Sequence, residues 1–278
     1  MKRAVRHFFY NPLSLAGILF ILVLVFTGVL APVLAPYDPV EISPGRRLTP
    51  PNETNWLGTD EVGRDILSRV IYGARISLRI GVTIVFSAAA LGLVIGLVSG
   101  YFGGVLDQTL MRFTDMFMSF PTLILAIAMT AALGPSLFNA VLAMVIVWWP
   151  IYARLIRGEV LAAKEKEYIR AVQALGAKPF KIIFFHILPN TIDVVVVRAS
   201  IDFGNAVMFC AALSFIGLGA QPPQPEWGAM VTTGRDYLRD AWWLVTFPGL
   251  AIFLTVMGFN LFGDSLRDFL DPKLRGER

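Results

Sequence analysis

The sequence predicts an all-α integral membrane protein of about six transmembrane helices, and three observations carry that prediction. The 278 residues are 56% hydrophobic, above the roughly 45–50% of a soluble domain. Mean hydropathy is +0.65. The apolar residues also gather in long uncharged runs, Leu13–Leu34, Ile80–Leu106, Met116–Ala153 and Ala241–Gly263. Each run reaches the length of about 18–20 residues that a helix needs to cross a bilayer.

In chain order, the first span is expected at Leu13–Leu34. Lys2, Arg3 and Arg6 precede it, as they would a signal peptide. The run is longer than a usual signal core, and Pro36 follows Ala35, the one plausible small-residue cleavage site, so a retained span is expected. A polar stretch follows, irregular over its proline-rich first half. Its second half, Thr59–Arg75, has Ile66, Leu67, Val70, Ile71 and Ala74 at helical spacing, which predicts an amphipathic helix on the membrane surface. Further spans are expected at Ile80–Gly100, Met116–Leu133 or slightly earlier, Ser136–Ile156, Thr191–Leu213 and Ala241–Gly263. The chain is expected to divide at residue 79 into an N-terminal tail, span and extracytoplasmic segment (1–79) and a transmembrane domain (80–278). The latter includes a polar loop at 157–190.

An even number of spans puts both termini on one side. The basic N-terminus, the segment 154–190 with seven Lys or Arg, and the tail with Arg267, Lys273, Arg275 and Arg278 predict that this side is the cytoplasm. The net charge of +4 is explained by those helix ends, without nucleic acid as a partner. Cys210 is the single cysteine, so no intrachain disulfide can form. No GxxxxGK[ST] phosphate loop, HExxH pair or GxSxG elbow occurs, which disfavours an ATPase, a zinc enzyme or a serine hydrolase. The chain is expected to be non-catalytic and to bind no cofactor itself. Within the second span Ala88, Gly92, Gly96, Gly100 and Gly104 recur every four residues. They share one helix face that admits another backbone, through tight packing or as a sliding surface.

The most informative segment is EVLAAKEKEYIRAVQALGAKPFKIIFFHILPN, residues 159–190. Glu167–Leu175 is expected to be a short helix with Tyr168, Ala171, Val172 and Leu175 on its apolar face. Gly176 suits the left-handed position that ends it, and Pro179 suits the first turn of a second helix. That second helix is expected over Phe180–Leu188, along the membrane surface, with Pro189 ending it. A small helix projecting into the cytosol covers its apolar face only against a partner.

This segment resembles the cytoplasmic coupling loop of ABC importer permeases, which reads E-A-A, three residues, G, nine residues, I, one residue, L-P. Arg170, Ala171, Val172, Gly176, His186, Leu188 and Pro189 stand at those positions, with Arg170, Val172 and His186 departing from the usual Glu, Ala and Ile. NWLGTDEVGRDILSRVIYGARISL (55–78), LSFIGLGAQPPQPEWGAM (213–230) and FPGLAIFLTVMGFNLFGDSLRDFLD (247–271) are similar to dipeptide, oligopeptide and nickel permeases, closest to the second, shorter permease of such a pair. The resemblance covers nearly the whole chain. It implies the ABC importer permease fold and a second homologous permease. It also implies cytosolic ATPase subunits that hold ATP and Mg and dock on Arg170, Ala171, Val172, Leu175, Gly176, His186, Leu188 and Pro189. An extracytoplasmic binding protein would dock near Gly58, Thr59, Asp60, Gly63, Arg64 and Asp65. Peptide, nickel and oligosaccharide all remain open as substrates, and a channel or scaffold without ATPase partners is the competing class.

Charges inside a span need their own account. Arg198 and Asp202 lie four apart in the fifth span, where either alone would cost about 2.5–3.5 kcal/mol on insertion scales. At that spacing they share a face and can pair, with Asn205 nearby. They either line the passage or lock helices together.

Overall fold

The computed structural model describes residues 12–270. Lys2, Arg3, Arg6, His7, Lys273, Arg275 and Arg278 lie outside the described residues. Eleven α-helices follow in order: α1 Pro12–Val29, α2 Ala31–Leu34, α3 Ile66–Phe102, α4 Gly104–Met118, α5 Thr122–Leu133, α6 Leu137–Lys164, α7 Glu167–Ala174, α8 Pro179–Ile182, α9 Leu188–Phe215, α10 Trp227–Arg235 and α11 Trp243–Leu270. Five stretches are long and apolar enough to cross a membrane, or six when the bent pair α4–α5 counts as one. About six spans were expected from the sequence.

Three expected boundaries change. The surface helix expected over Thr59–Arg75 is not separate: residues 59–65 form a turn closed by the Thr59–Asp65 bridge, and α3 then runs unbroken from Ile66 through residue 79. No breaker lies between Ala74 and Ile80, and Arg79 stays exposed, where a long basic side chain reaches out of the apolar zone. With 37 residues, α3 is about 55 Å long at 1.5 Å per residue, against roughly 30 Å of hydrocarbon. The span expected from Met116 is instead two helices meeting at 86°. Pro121 has ψ 126°, outside helical values, at the start of α5, and the residue before a proline is itself steered away from helix. The helix expected to end at Pro189 continues: α8 passes through a π-helical turn, Ile183–Ile187, into α9. Pro189 falls in the first turn of α9, where its missing N–H is least costly.

The strongest helix pairing is α3 with α6, and the glycine stripe explains it. A Cβ on Gly96 would lie 2.6 Å from the Ala153 carbonyl oxygen and 2.8 Å from Ile156 Cβ; one on Gly100 would lie 2.8 Å from Val160 Cβ. Gly92 is similarly filled by Tyr152 and Trp149. The stripe therefore packs helices closely. Gly104 has open space and φ +61°, so it serves the turn into α4 rather than the seam. Around this pair, α9 packs on α3, α6 and α11, while α1 packs on α3 and α11. Phe203 of α9 stacks on Phe259 of α11 at 4.0 Å.

The segments 35–65 and 216–242 share one face of the bundle. Trp243 Nε1 donates to the Thr59 carbonyl at 3.1 Å, Trp227 Nε1 to the Val70 carbonyl at 3.0 Å, and Arg69 to the carbonyls of Pro39 and Pro223. The loop 134–136 joins this cap through Ser136 N–H to Leu218 O. Glu226 is fully buried there. Its carboxylate accepts from Gly228 N–H and Ala229 N–H at the start of α10. Burial pushes its pKa up, while those two donors oppose the shift.

Candidate functional site

α7 projects from the face opposite the cap. It follows α6 after two residues, and Lys164 at the end of α6 donates to the carbonyls of Gly100 (3.3 Å) and Tyr101 (2.7 Å). That lysine satisfies the otherwise unpaired C-terminal carbonyls of α3. α7 ends as its glycine foretold: Gly176 has φ +79°, its N–H bonds Gln173 O at 2.9 Å, and Ala177 N–H bonds Val172 O at 3.3 Å. Two such bonds around a left-handed residue define a Schellman stop.

Most of the apolar face expected on α7 is left open. Ile169 is fully buried and Val172 packs against the core, whereas Tyr168, Ala171 and Leu175 are exposed, Leu175 by 88%. Of the four residues expected on the apolar face, Tyr168, Ala171 and Leu175 stay open and Val172 turns inward beside Ile169, which the spacing also permits. The exposed side presents Arg170, Ala171, Leu175 and Gly176 to solvent. Arg170 pairs with Glu165 on the surface. His186 and Leu188 are half-buried at the π-turn junction and Pro189 is exposed beside it. Asn190 Nδ2 donates to the His186 carbonyl at 2.6 Å and to Tyr168 Oη at 3.2 Å, which ties α7 to α9. The expected coupling residues thus divide into an exposed edge on α7, the inward Val172, and the junction at 186–189.

At the cap, Gly58, Thr59, Asp60, Gly63, Arg64 and Asp65 are all buried. Their side chains are engaged inside the cap. Arg64 Nε meets Asp60 at 2.5 Å and its Nη2 meets Glu61 at 2.8 Å. Asp65 accepts from Asn55 Nδ2, Ser68 N–H and Ser68 Oγ, each at 2.8 Å, capping α3. Gly63 has φ +86°, and a Cβ there would run into the Ser43 carbonyl. The exposed residues around this knot are Arg46, Arg47, Asn52, Glu53 and Trp56.

In the bundle, Arg198 Nε donates to Asp202 Oδ2 at 2.9 Å, the pairing their spacing predicted. The Asp202 side chain is 3% exposed and that of Arg198 41%. Asn205 is half-buried on the same side. The Tyr152 hydroxyl is buried without a hydrogen-bond partner and interacts electrostatically with both members of the pair.

A second ionic link escaped the sequence reading. Arg157 of α6 grips Asp107 of α4 through two bonds of 2.6 Å, Ser99 also bonds Asp107, and Arg154 pairs with Asp115. The signal was present: Asp107, Arg112 and Asp115 are the only charges between Arg79 and Arg154. Among the described residues no three His, Cys, Asp or Glu side chains gather where a metal could be held.

Comparison with known proteins places this geometry. Residues 92–276 match the family described as "Binding-protein-dependent transport system inner membrane component", and residues 1–51 match the "N-terminal TM domain of oligopeptide transport permease C". The chain is 46% identical over 268 residues to the "Probable D,D-dipeptide transport system permease protein DdpC" of Escherichia coli (strain K12), covering 96% of this chain and 90% of that one. It is 44% identical to the "Dipeptide transport system permease protein DppC" of Alkalihalophilus pseudofirmus, over 99% of this chain and 90% of the relative. Against the "Glutathione transport system permease protein GsiD" of Pectobacterium atrosepticum identity is 43%, over 97% and 90%. With a family match over residues 92–276 and relatives aligned nearly end to end, the chain belongs to the binding-protein-dependent transport system inner membrane components, the multi-pass permease subunits of such importers.

Proposed function

We propose that this chain is one of two homologous permeases that together form the route for ATP-driven uptake of di- or short peptides, with ATP and Mg bound on separate cytosolic ATPase subunits. The observation that carries the reading is the exposed edge of α7. Leu175 stands 88% in solvent beside the small Ala171, on a helix held rigid by a Schellman stop and a buried Ile169. Burying an exposed leucine in a cleft of another protein would stabilise the contact by removing apolar surface from water. The names of the relatives, dipeptide and glutathione permeases, support peptides as the substrate class.

The orientation proposed is α7 and both termini in the cytosol, with 35–65 and 216–242 outside. There an extracytoplasmic binding protein would rest on the exposed Arg46, Arg47, Asn52 and Trp56 rather than on the buried knot beneath them. Lipid covers the outward apolar sides of α1 and α9. The division expected at residue 79 falls within α3, which runs unbroken from Ile66 to Phe102.

Ala171→Asp tests the proposal. The site is exposed, so the bundle should assemble normally. The ATPase subunits should no longer co-purify, and peptide uptake should fall to background. Full retention of the ATPases by Ala171→Asp would refute docking on α7.

A further inference from the structure

We propose that Arg198 is the residue in this chain that receives the carboxylate of the transported solute as it crosses. The inference rests on the permease reading above and adds to it a chemical class of ligand and a specificity-determining residue. Arg198 lies about 15 Å along α9 from Leu188 at 1.5 Å per residue, near the middle of the span. Its pairing with Asp202 uses only Nε. Among the described residues, the two terminal nitrogens have no hydrogen-bond partner, and the side chain is 41% exposed.

An ionised guanidinium with unused donors has nothing to bond in hydrocarbon. The part of α9 it occupies must therefore face water or a polar ligand. The surrounding pattern agrees. Asn205 falls within about 20° of Arg198 around the helix at 100° per residue, and it too is half-buried. Ile192 and Val196, exposed and apolar, lie about 120–160° away, on a side they share with Asp193 and Ser200.

The pair is also unequal in a telling way. Asp202 is sunk beside the Tyr152 hydroxyl, so it acts as a fixed counter-ion that lets the chain insert, while Arg198 reaches out of the pair. A guanidinium held by Nε keeps its terminal N–H groups directed outward, the geometry that grips a carboxylate through two parallel bonds. A zwitterionic peptide always carries such a group at its C-terminus.

The test uses the complete importer, both permeases with ATPases and binding protein, in proteoliposomes. Uptake of a labelled dipeptide per ATP hydrolysed is compared for wild type, Arg198→Gln, Arg198→Lys and Asp202→Asn. Arg198→Gln should lower uptake per ATP by about tenfold or more, the scale of one lost charge-assisted contact, while binding-protein-stimulated ATP hydrolysis stays near wild type. Arg198→Lys should recover a substantial part, since it restores charge without the fork. Asp202→Asn keeps an acceptor for Nε but removes the counter-charge, and should lower uptake per ATP less than Arg198→Gln does. Equal loss in Arg198→Gln and Asp202→Asn would overturn the proposal in favour of a structural lock. Failure of every Arg198 variant to assemble would overturn it too, by making Arg198 a contact between subunits. An unaffected Arg198→Gln would remove carboxylate recognition and leave the permease reading intact. A wild-type importer that moves no dipeptide would bring down both.

Discussion

Truncating Leu175 to alanine separates docking from folding more cleanly than any other change on α7. Fully burying a leucine stabilises by about 1.5–3 kcal/mol. With 88% of this one in solvent, nearly all of that gain is unspent in the isolated chain and is available to a partner. Alanine keeps one methyl, so the ATPase complex should lose about 2 kcal/mol, or roughly thirtyfold in affinity. The permease itself should be unaffected within about 0.5 kcal/mol, as for other surface changes. Leu175 sits at φ −76°, ψ 3°, which alanine adopts without strain. The assay titrates purified ATPase subunits against the permease pair in nanodiscs and records the thermal midpoint of the permease alone. A loss smaller than about threefold, or one matched by a lower midpoint, would refute the claim that Leu175 spends its apolar surface on a partner.

Other expectations follow from the packing. Gly96→Leu should lower the midpoint sharply, because its Cβ already overlaps Ala153 O and Ile156 Cβ and overpacking costs about 1–3 kcal/mol. Gly158→Ala, with nothing within 4 Å of the new Cβ, should raise stability by up to about 1 kcal/mol; equal effects at the two glycines would contradict the seam. Asp65→Ala removes the α3 cap and strands Asn55, for about 3 kcal/mol in denaturant unfolding, and Asp65→Asn should fall between. Arg157→Gln should cost about 1–2 kcal/mol after allowance for partial exposure. The reversed pair Arg157→Asp with Asp107→Arg should recover most of that loss, and no recovery would mean that position rather than charge complementarity holds α4.

What the sequence made legible was whatever depends on neighbours in the chain. Uncharged runs located the spans. Gly176 and Pro179 marked one helix stop and the next start, because left-handed φ and a missing N–H are local constraints. Arg198 and Asp202 could be paired because four residues is a helical contact distance. What stayed hidden depends on the third dimension. Ile169 and Leu175 are both apolar, and only the position of α6 and α9 decides which is buried. The six cap residues were expected near a docking surface from the family resemblance alone. Their burial comes from Ser43, Thr49 and Trp243 folding over them, contacts that no spacing announces. The 86° bend at Ser119–Pro121 was hidden for the opposite reason: hydropathy sees a continuous run and is blind to direction.

The arrangement of α3 and α6 bears on how a push on α7 would travel. α3 is capped at one end by Asp65 within the buried Asp60–Arg64–Arg69 cluster, and at the other by Lys164, only two residues before α7 begins. Between those ends Gly92, Gly96 and Gly100 bring the two backbones together. A close-packed pair transmits displacement rather than absorbing it. α4 differs: Thr114 is its only buried residue, and two ion pairs hold it to α6. Motion at α7 should therefore carry α3 and α6 toward the cap as one body, and any slippage should concentrate at α4 and the bend after it. Weakening Arg157–Asp107 would then alter uptake per ATP hydrolysed while leaving ATPase docking untouched, whereas Leu175→Ala would do the reverse, weakening docking and sparing the coupling of those complexes that still form.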